Sequence, residues 1–188
     1  MLRLFCFECA KIFFMRFLIN MIYSIVQHKE IPVSIQKEVY YVDEEFGNMI
    51  RYVARDDSKK INVGRVDLQD TKNGVKVVYI KNYQPKLYKH FAQLADQIEV
   101  EHCLKRGIDK PYIKSTAARD TYVLHFLRGK RFINEGINIY LDFLTRKLQK
   151  GEQVITEFLG YQKMYMPTNM IDKIKEKIKI NPLLKGIK

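Results

Sequence analysis

The sequence predicts an α/β fold: a mixed sheet that opens as an antiparallel meander, continues through a parallel strand–helix–strand unit and is flanked by helices. Three observations predict it. Between residues 48 and 82, three runs rich in Val, Ile and Tyr alternate with polar residues and are separated by short turns. From residue 85 the apolar spacing lengthens to that of a helix. Beyond it, strand-like and helical segments alternate, the order of a sheet covered by helices.

The first element is a helix. Phe14, Leu18, Met21 and Ile25 recur at helical spacing, which predicts an amphipathic helix over about 10–27 laid on the core. Arg16 and Asn20 interrupt the apolar run, so no stretch of about 20 residues exists to span a bilayer. Lys37–Val42 reads as a short strand. Asn48–Arg55, Ile61–Leu68 and Val75–Asn82 follow as the meander, with Asp56–Lys59 and Asp70–Gly74 as the turns. Leu87, Phe91, Leu94, Ile98 and His102 form one face of a helix that Gly107 stops. Lys110–Ala118 is a short buried strand, returning parallel to 75–82 through a right-handed crossover. Asp120 suits the N-cap of a helix carrying Tyr122, Val123, Phe126 and Leu127. A further helix runs over Glu135–Gln149, with Ile137, Leu141, Leu144 and Leu148 on one side. Val154–Met166 is strand-like, broken at Gly160 and ended by Pro167. Asn169 with Asp172 predicts a capped C-terminal helical extension over about 168–188, carrying Ile171, Ile174 and Ile178. No Pro/Gly/Ser-rich linker divides the 188 residues, and 47% are apolar, so one domain is expected.

Charge and cysteine narrow the partners. A net charge of +12 favours acidic ones: nucleic acid, an anionic membrane or a polyphosphate ligand. The 33 Lys and Arg are scattered, which also fits a solvated basic surface. Three cysteines make no disulfide framework and point to the cytoplasm. Cys6-Phe-Glu-Cys9 offers two zinc ligands where four are wanted, and reads as packing. No Ser–His–Asp set or complete Walker loop is present.

The stretch Tyr79–Gln97, YIKNYQPKLYKHFAQLADQ, is a strand that turns through Gln84-Pro85 into a helix. In that geometry helix N-terminal N–H groups collect a phosphate. Lys86, Lys89 and His90 sit in the turn, yet no glycine lies between Gly74 and Gly107 to let backbone approach an anion.

The order of elements, with these details, resembles the GNAT superfamily of acyl-CoA-dependent N-acyltransferases over about residues 40–166. Ile80-Lys-Asn-Tyr-Gln-Pro85 looks like that family's strand end and its proline, and Phe91–Arg106 like its cofactor helix. Pro111–Ala118 looks like its next strand, Asp120–Phe132 like the following helix with its closing aromatic, and Met164–Met166 like a late strand. The resemblance implies a GNAT-like mixed sheet with its two parallel strands splayed. It implies acetyl-CoA or another acyl-CoA as cosubstrate, and acyl transfer to a primary amine. It places Tyr79, Ile80, Lys81, Lys86, Tyr88, Lys89, His90, Phe91, Ala92 and Asp120 at the cofactor. The family loop carries arginine and glycines where this chain has Tyr88, Lys89, Phe91 and Gln93. Leu127 stands where the family has a tyrosine that protonates the leaving thiolate. Tyr122 and His125 are the substitutes available. For the base, Asp67 and Asp70 serve through water or cap turns, His102 sits on the apolar face, and Glu99 and Glu101 fall on the solvated side. A degenerate descendant of the fold, without catalysis, is the companion expectation.

Two binding classes compete. Tyr79, Tyr83, Tyr88 and Phe91 interleave with Lys76, Lys81, Lys86 and Lys89, as nucleic-acid surfaces do, although strand alternation sends some to opposite faces. Alternatively, the helices of 135–188 serve a protein partner. The positive charge disfavours a polyamine acceptor and favours a neutral or acidic amine.

Overall fold

The computed structural model describes residues 33–41, 48–86, 91–117, 121–151, 160–181 and 184. The helix expected over 10–27, the Cys6/Cys9 pair, Tyr88, Lys89, His90 and Asp120 lie outside them.

Strands β1 (Val33–Tyr41), β2 (Asn48–Asp56), β3 (Ile61–Thr71) and β4 (Gly74–Asn82) form the meander, each antiparallel to the one before. Helix α1 (Phe91–Lys105) carries the chain to β5 (Tyr112–Ala117), which pairs parallel with β4. Then come α2 (Tyr122–Leu127), β6 (Arg131–Phe132), α3 (Glu135–Gln149), β7 (Gln162–Tyr165) and α4 (Thr168–Ile180). The seven strands make one sheet in the order β1-β2-β3-β4-β5-β7-β6, the predicted mixed sheet.

Strand alternation sorts the side chains. Tyr52 and Ala54 of β2, Val66 and Leu68 of β3, Val75 and Val77 of β4 and Ile113 of β5 all face one way. They pack against Phe91, Ala95 and Ile98 of α1, Ile171 and Ile174 of α4, and Leu184. The C-terminal helix is therefore part of the main core. A smaller cluster, Ala117, Tyr122, Phe132, Leu141, Leu144 and Met164, lies under α2 and α3. The residues between these, among them Arg65, Asp67, Tyr79, Lys81, Tyr112 and Lys114, take the other face.

Local signals fare unevenly. Gly107 (φ 77) ends α1 as expected, in a Schellman turn: the Ile108 N–H donates to Cys103 O at 3.0 Å and the Gly107 N–H to Leu104 O at 2.9 Å. Gly129 (φ 102) ends α2 in the same way, with the Lys130 N–H on His125 O at 3.0 Å. The cap expected from Asn169 and Asp172 does not form. Pro167 is the N-cap of α4, without a side-chain cap bond, so Asn169 already lies inside the helix. Thr121 rather than Asp120 occupies the N-cap of α2. Strand β1 begins at Val33, four residues earlier than expected, because it pairs with β2 along its whole length.

Candidate functional site

β4 and β5 touch along three pairs only: Gly74 with Tyr112, Val75 with Ile113, and Lys76 with Lys114. Beyond them β5 turns to β7, pairing from Lys114 to Ala117, while β4 stays on β3 as far as Asn82. The two strands therefore part toward their C-terminal ends, and a slot opens between them. At its closed end a Cβ on Gly74 would lie 2.1 Å from the Tyr112 carbonyl oxygen. Only glycine allows that approach. The β3–β4 register slips between Asp67 and Leu68, which face Tyr79 and Val77, so Val78 is an extra residue on β4. Such a bulge re-aims the strand beyond it. The Tyr83 N–H donates to Val63 O at 2.8 Å. Antiparallel alternation then turns the backbone groups of Tyr79 and Lys81 toward β3, and those of Ile80 toward the slot.

The predicted site residues scatter around this slot. Tyr79 is 38% exposed, with the Arg65 guanidinium 4.5 Å from its ring centroid. Lys81 is exposed, its Nζ 5.7 Å from the Tyr83 ring. The Ile80 side chain packs against the main core. Lys86 is exposed in the turn, which the Gln84 N–H helps to fix by donating to Asn82 Oδ1 at 2.9 Å. Phe91 differs from expectation. It is buried, and its ring lies over Gly64, where an added Cβ would meet it at 2.7 Å. Its ring anchors α1 to β3. The Ala92 carbonyl accepts a hydrogen bond from Arg128.

The two candidate acids differ in their surroundings. Tyr122 is buried against Phe132, with ring centroids 4.9 Å apart, and its hydroxyl donates to the Gly160 carbonyl. Burial pushes its pKa up. Burial, helped by Lys130 and Arg128, pulls His125 down to about 3, so the imidazole is neutral at pH 7. Its Nδ1 is buried without a hydrogen-bond partner among the described residues.

Three polar clusters went unread in the sequence. On the face opposite the described helices, Arg51 grips Asp67 through Nε at 2.9 Å and Nη2 at 3.2 Å, and Arg65 Nη2 stands 3.3 Å away. Asp67 thus neither caps a turn nor stands free as a base. On the helix face, Tyr52 Oη lies 2.7 Å from His102 Nδ1, and His102 Nε2 lies 2.8 Å from Asp70 Oδ1. Because a carboxylate only accepts, His102 donates from Nε2 and receives the tyrosine proton at Nδ1. Arg106 also holds Asp70, at 2.8 Å. Asp70, His102, Arg106, Lys37 and Gln69 line a groove of about 500 Å³ at the far end of the sheet from the open slot. His102, on the apolar face as the sequence placed it, has a partner for each ring nitrogen.

The third cluster is buried between α1 and the turn after α2. Lys130 Nζ lies 3.0 Å from Asp96 Oδ1 and 3.3 Å from Glu99 Oε2, and Arg128 also binds Asp96. Glu99, expected on the solvated side, has no exposed surface. α1 packs against β3, β4 and α4, and Arg128 and Lys130 approach from the α2 side, so the helix has little solvated face. The available signal was Arg128-Gly129-Lys130, two cations astride a helix-ending glycine. Among the described residues no group of three His, Cys, Asp or Glu could hold a metal. None of their helices is long and apolar enough to cross a membrane.

No family model matches the chain, and no curated protein matches it. Solved structures do. An acyl-CoA N-acyltransferase from Pseudomonas aeruginosa aligns with 64% of this chain and 70% of its own, at 11% identity and a TM-score of 0.40. A spermidine N-acetyltransferase chimera from Vibrio cholerae covers 66% and 69%, at 14% identity and 0.42. Nourseothricin acetyltransferase covers 73% and 88%, at 11% identity and 0.43. The fold class stands on the sheet's own topology.

Proposed function

We propose that the slot between β4 and β5 takes the acyl-pantetheine arm of a coenzyme A thioester, and that the protein transfers the acyl group, acetyl in the simplest case, to a primary amine. One observation carries this reading: two parallel strands that part after three residue pairs. Extended backbone facing the slot suits an amide-rich arm, which can pair with it as a further strand would. The Ile80 N–H would then polarise the thioester carbonyl, a donor already in place as charge develops on oxygen. The neutral amine attacks the carbonyl carbon, the C–N bond forms, the C–S bond breaks, and the amine's proton passes to water. A thiol pKa of about 8.5 means that leaving as thiolate at pH 7 costs only about 2 kcal/mol. The reaction therefore needs neither Tyr122 nor His125 as acid.

Lys86, Lys89 and His90, in the segment between β4 and α1, supply the charge that a glycine loop's amides would give a pyrophosphate. Tyr79, Lys81, Tyr88 and Asp120 border the same cofactor, while Phe91 and Ala92 hold α1. The amine would enter from the face opposite the described helices, past Tyr79, Arg65 and Arg51, which suits an acceptor bearing a carboxylate better than a polyamine.

Calorimetry with acetyl-CoA and with CoA tests this. Saturable binding is expected, weakening with salt. Lys86→Ala with Lys89→Ala should weaken it by about 1–2 kcal/mol per contact. Binding without turnover of any amine would leave a degenerate descendant of the fold. Binding of neither ligand would end the reading.

A further inference from the structure

We propose that the face of β4, β5 and β7 opposite the described helices binds single-stranded nucleic acid; this inference does not rest on the slot's reaction. These three strands contain Lys76, Lys81, Lys114 and Lys163 and no Asp or Glu. Their register brings the cations together with tyrosine. Lys114 stands directly opposite Lys76 on one side and Tyr165 on the other. Tyr112, 45% exposed, stacks on Tyr165 with ring centroids 6.4 Å apart and planes 25° from parallel. Tyr79, 38% exposed, lies on the same face across the slot, with Lys81 two residues on. All of these alternate with buried Val75, Ile113 and Met164, which fixes their common direction.

The sequence expectation that alternation would separate the tyrosines from the lysines fails at this face, where both fall on the outward parity. The charge selects an anion and repels a second copy of the chain. The rings choose among anions. Bases stack on tyrosine while phosphates meet lysine, and a sheet is flat enough to present several rings to successive bases. An acidic peptide has no use for the ring faces. A membrane would want an apolar wedge where this surface offers Lys, Thr116 and tyrosine hydroxyls.

Fluorescence anisotropy of the full chain with a labelled oligouridine of about 15 nucleotides, long enough to fill such a surface, tests the proposal. Binding should weaken steeply as salt rises from about 50 to about 200 mM. Tyr112→Ala should weaken it roughly 5- to 100-fold without changing the salt slope, and Tyr112→Phe should restore it. Lys114→Ala with Lys163→Ala should instead flatten the slope by the equivalent of about two phosphate contacts. Circular dichroism checks that each variant folds, and if Tyr112→Ala does not, the lysine pair decides. No binding at about 0.15 M salt overturns the proposal. So does polyglutamate or an anionic vesicle that binds as tightly as the oligonucleotide and ignores Tyr112.

Discussion

Glu99 has no exposed surface, and Lys130 beside it is 1% exposed. Lys130 and Arg128 keep Asp96 low despite its burial. For Glu99 burial wins, with Asp96 adding and Lys130 opposing, and its carboxyl is pushed from 4.5 up to about 7. The folded protein therefore binds more protons at Glu99 than the unfolded chain does between those values. The stability this gives is complete below the ordinary carboxyl range and lost as pH rises through about 7. The melting temperature is expected to fall between about pH 5 and pH 7, and Glu99→Gln should flatten that fall. Equal slopes in thermal melts of the two proteins would show Glu99 ionised throughout. His125 has the opposite sign: its folded value of about 3 lies below the ordinary 6.5, so its contribution is lost as pH falls through that window. Tyr122→Phe removes the hydroxyl that donates to Gly160. Urea melts should show a loss of about 1 kcal/mol, with turnover unchanged.

The closed end of the slot depends on Gly74. A methyl group there meets Tyr112 backbone at 2.1 Å, and backbone cannot turn aside as a flexible side chain can. Gly74→Ala must push β5 from β4, at an expected cost of about 2–4 kcal/mol, visible as a melting temperature lower by roughly 5–15 °C. A wild-type melting curve would mean that the three-pair ladder is not the hinge of the slot. Gly64→Ala acts on the neighbouring element, where the Phe91 ring and Lys81 O lie within 2.7 Å of the new methyl. The meander and the long helices were legible because one buried face imposes period two on strands and 3.6 on helices. Of the strand-like stretch over 154–166, the part after the break at Gly160 (φ 60) is the strand Gln162–Tyr165, and 152–159 lie outside the described residues. The two-residue β6 was invisible, being held by pairing with β7 and by Asn138, whose side chain bonds both backbone groups of Phe132. For the site, strand order implied a slot, but periodicity cannot show which side of Phe91 faces Gly64. Nor could it find Glu99, because a helix enclosed on several sides has no solvated stripe to contrast with its core.

The whole molecule carries +12, and the two proposed anion sites adjoin one another, with Tyr79 and Lys81 at their border. The cations offered to the cofactor follow β4 toward α1, whereas Lys114 and Lys163 point away from the helices. From β4 to β7 is two strand spacings, about 10 Å, close to the Debye length at 0.1 M salt. At low salt each bound polyanion should therefore partly neutralise the field that attracts the other. CoA should weaken oligonucleotide binding there by several-fold, and the oligonucleotide should weaken CoA binding by the same factor, since coupling is reciprocal. At about 0.15 M the screening length falls to about 8 Å and the coupling should fade, leaving the two affinities independent. Anisotropy titrations with and without saturating CoA, at both salt concentrations, measure this directly. Direct competition for one site would persist at high salt, because a ligand that occupies space cannot be screened. That result would place the oligonucleotide in the slot and remove the separate face. Mutual weakening confined to low salt is the outcome expected of two sites that meet only at Tyr79 and Lys81 and otherwise share a field.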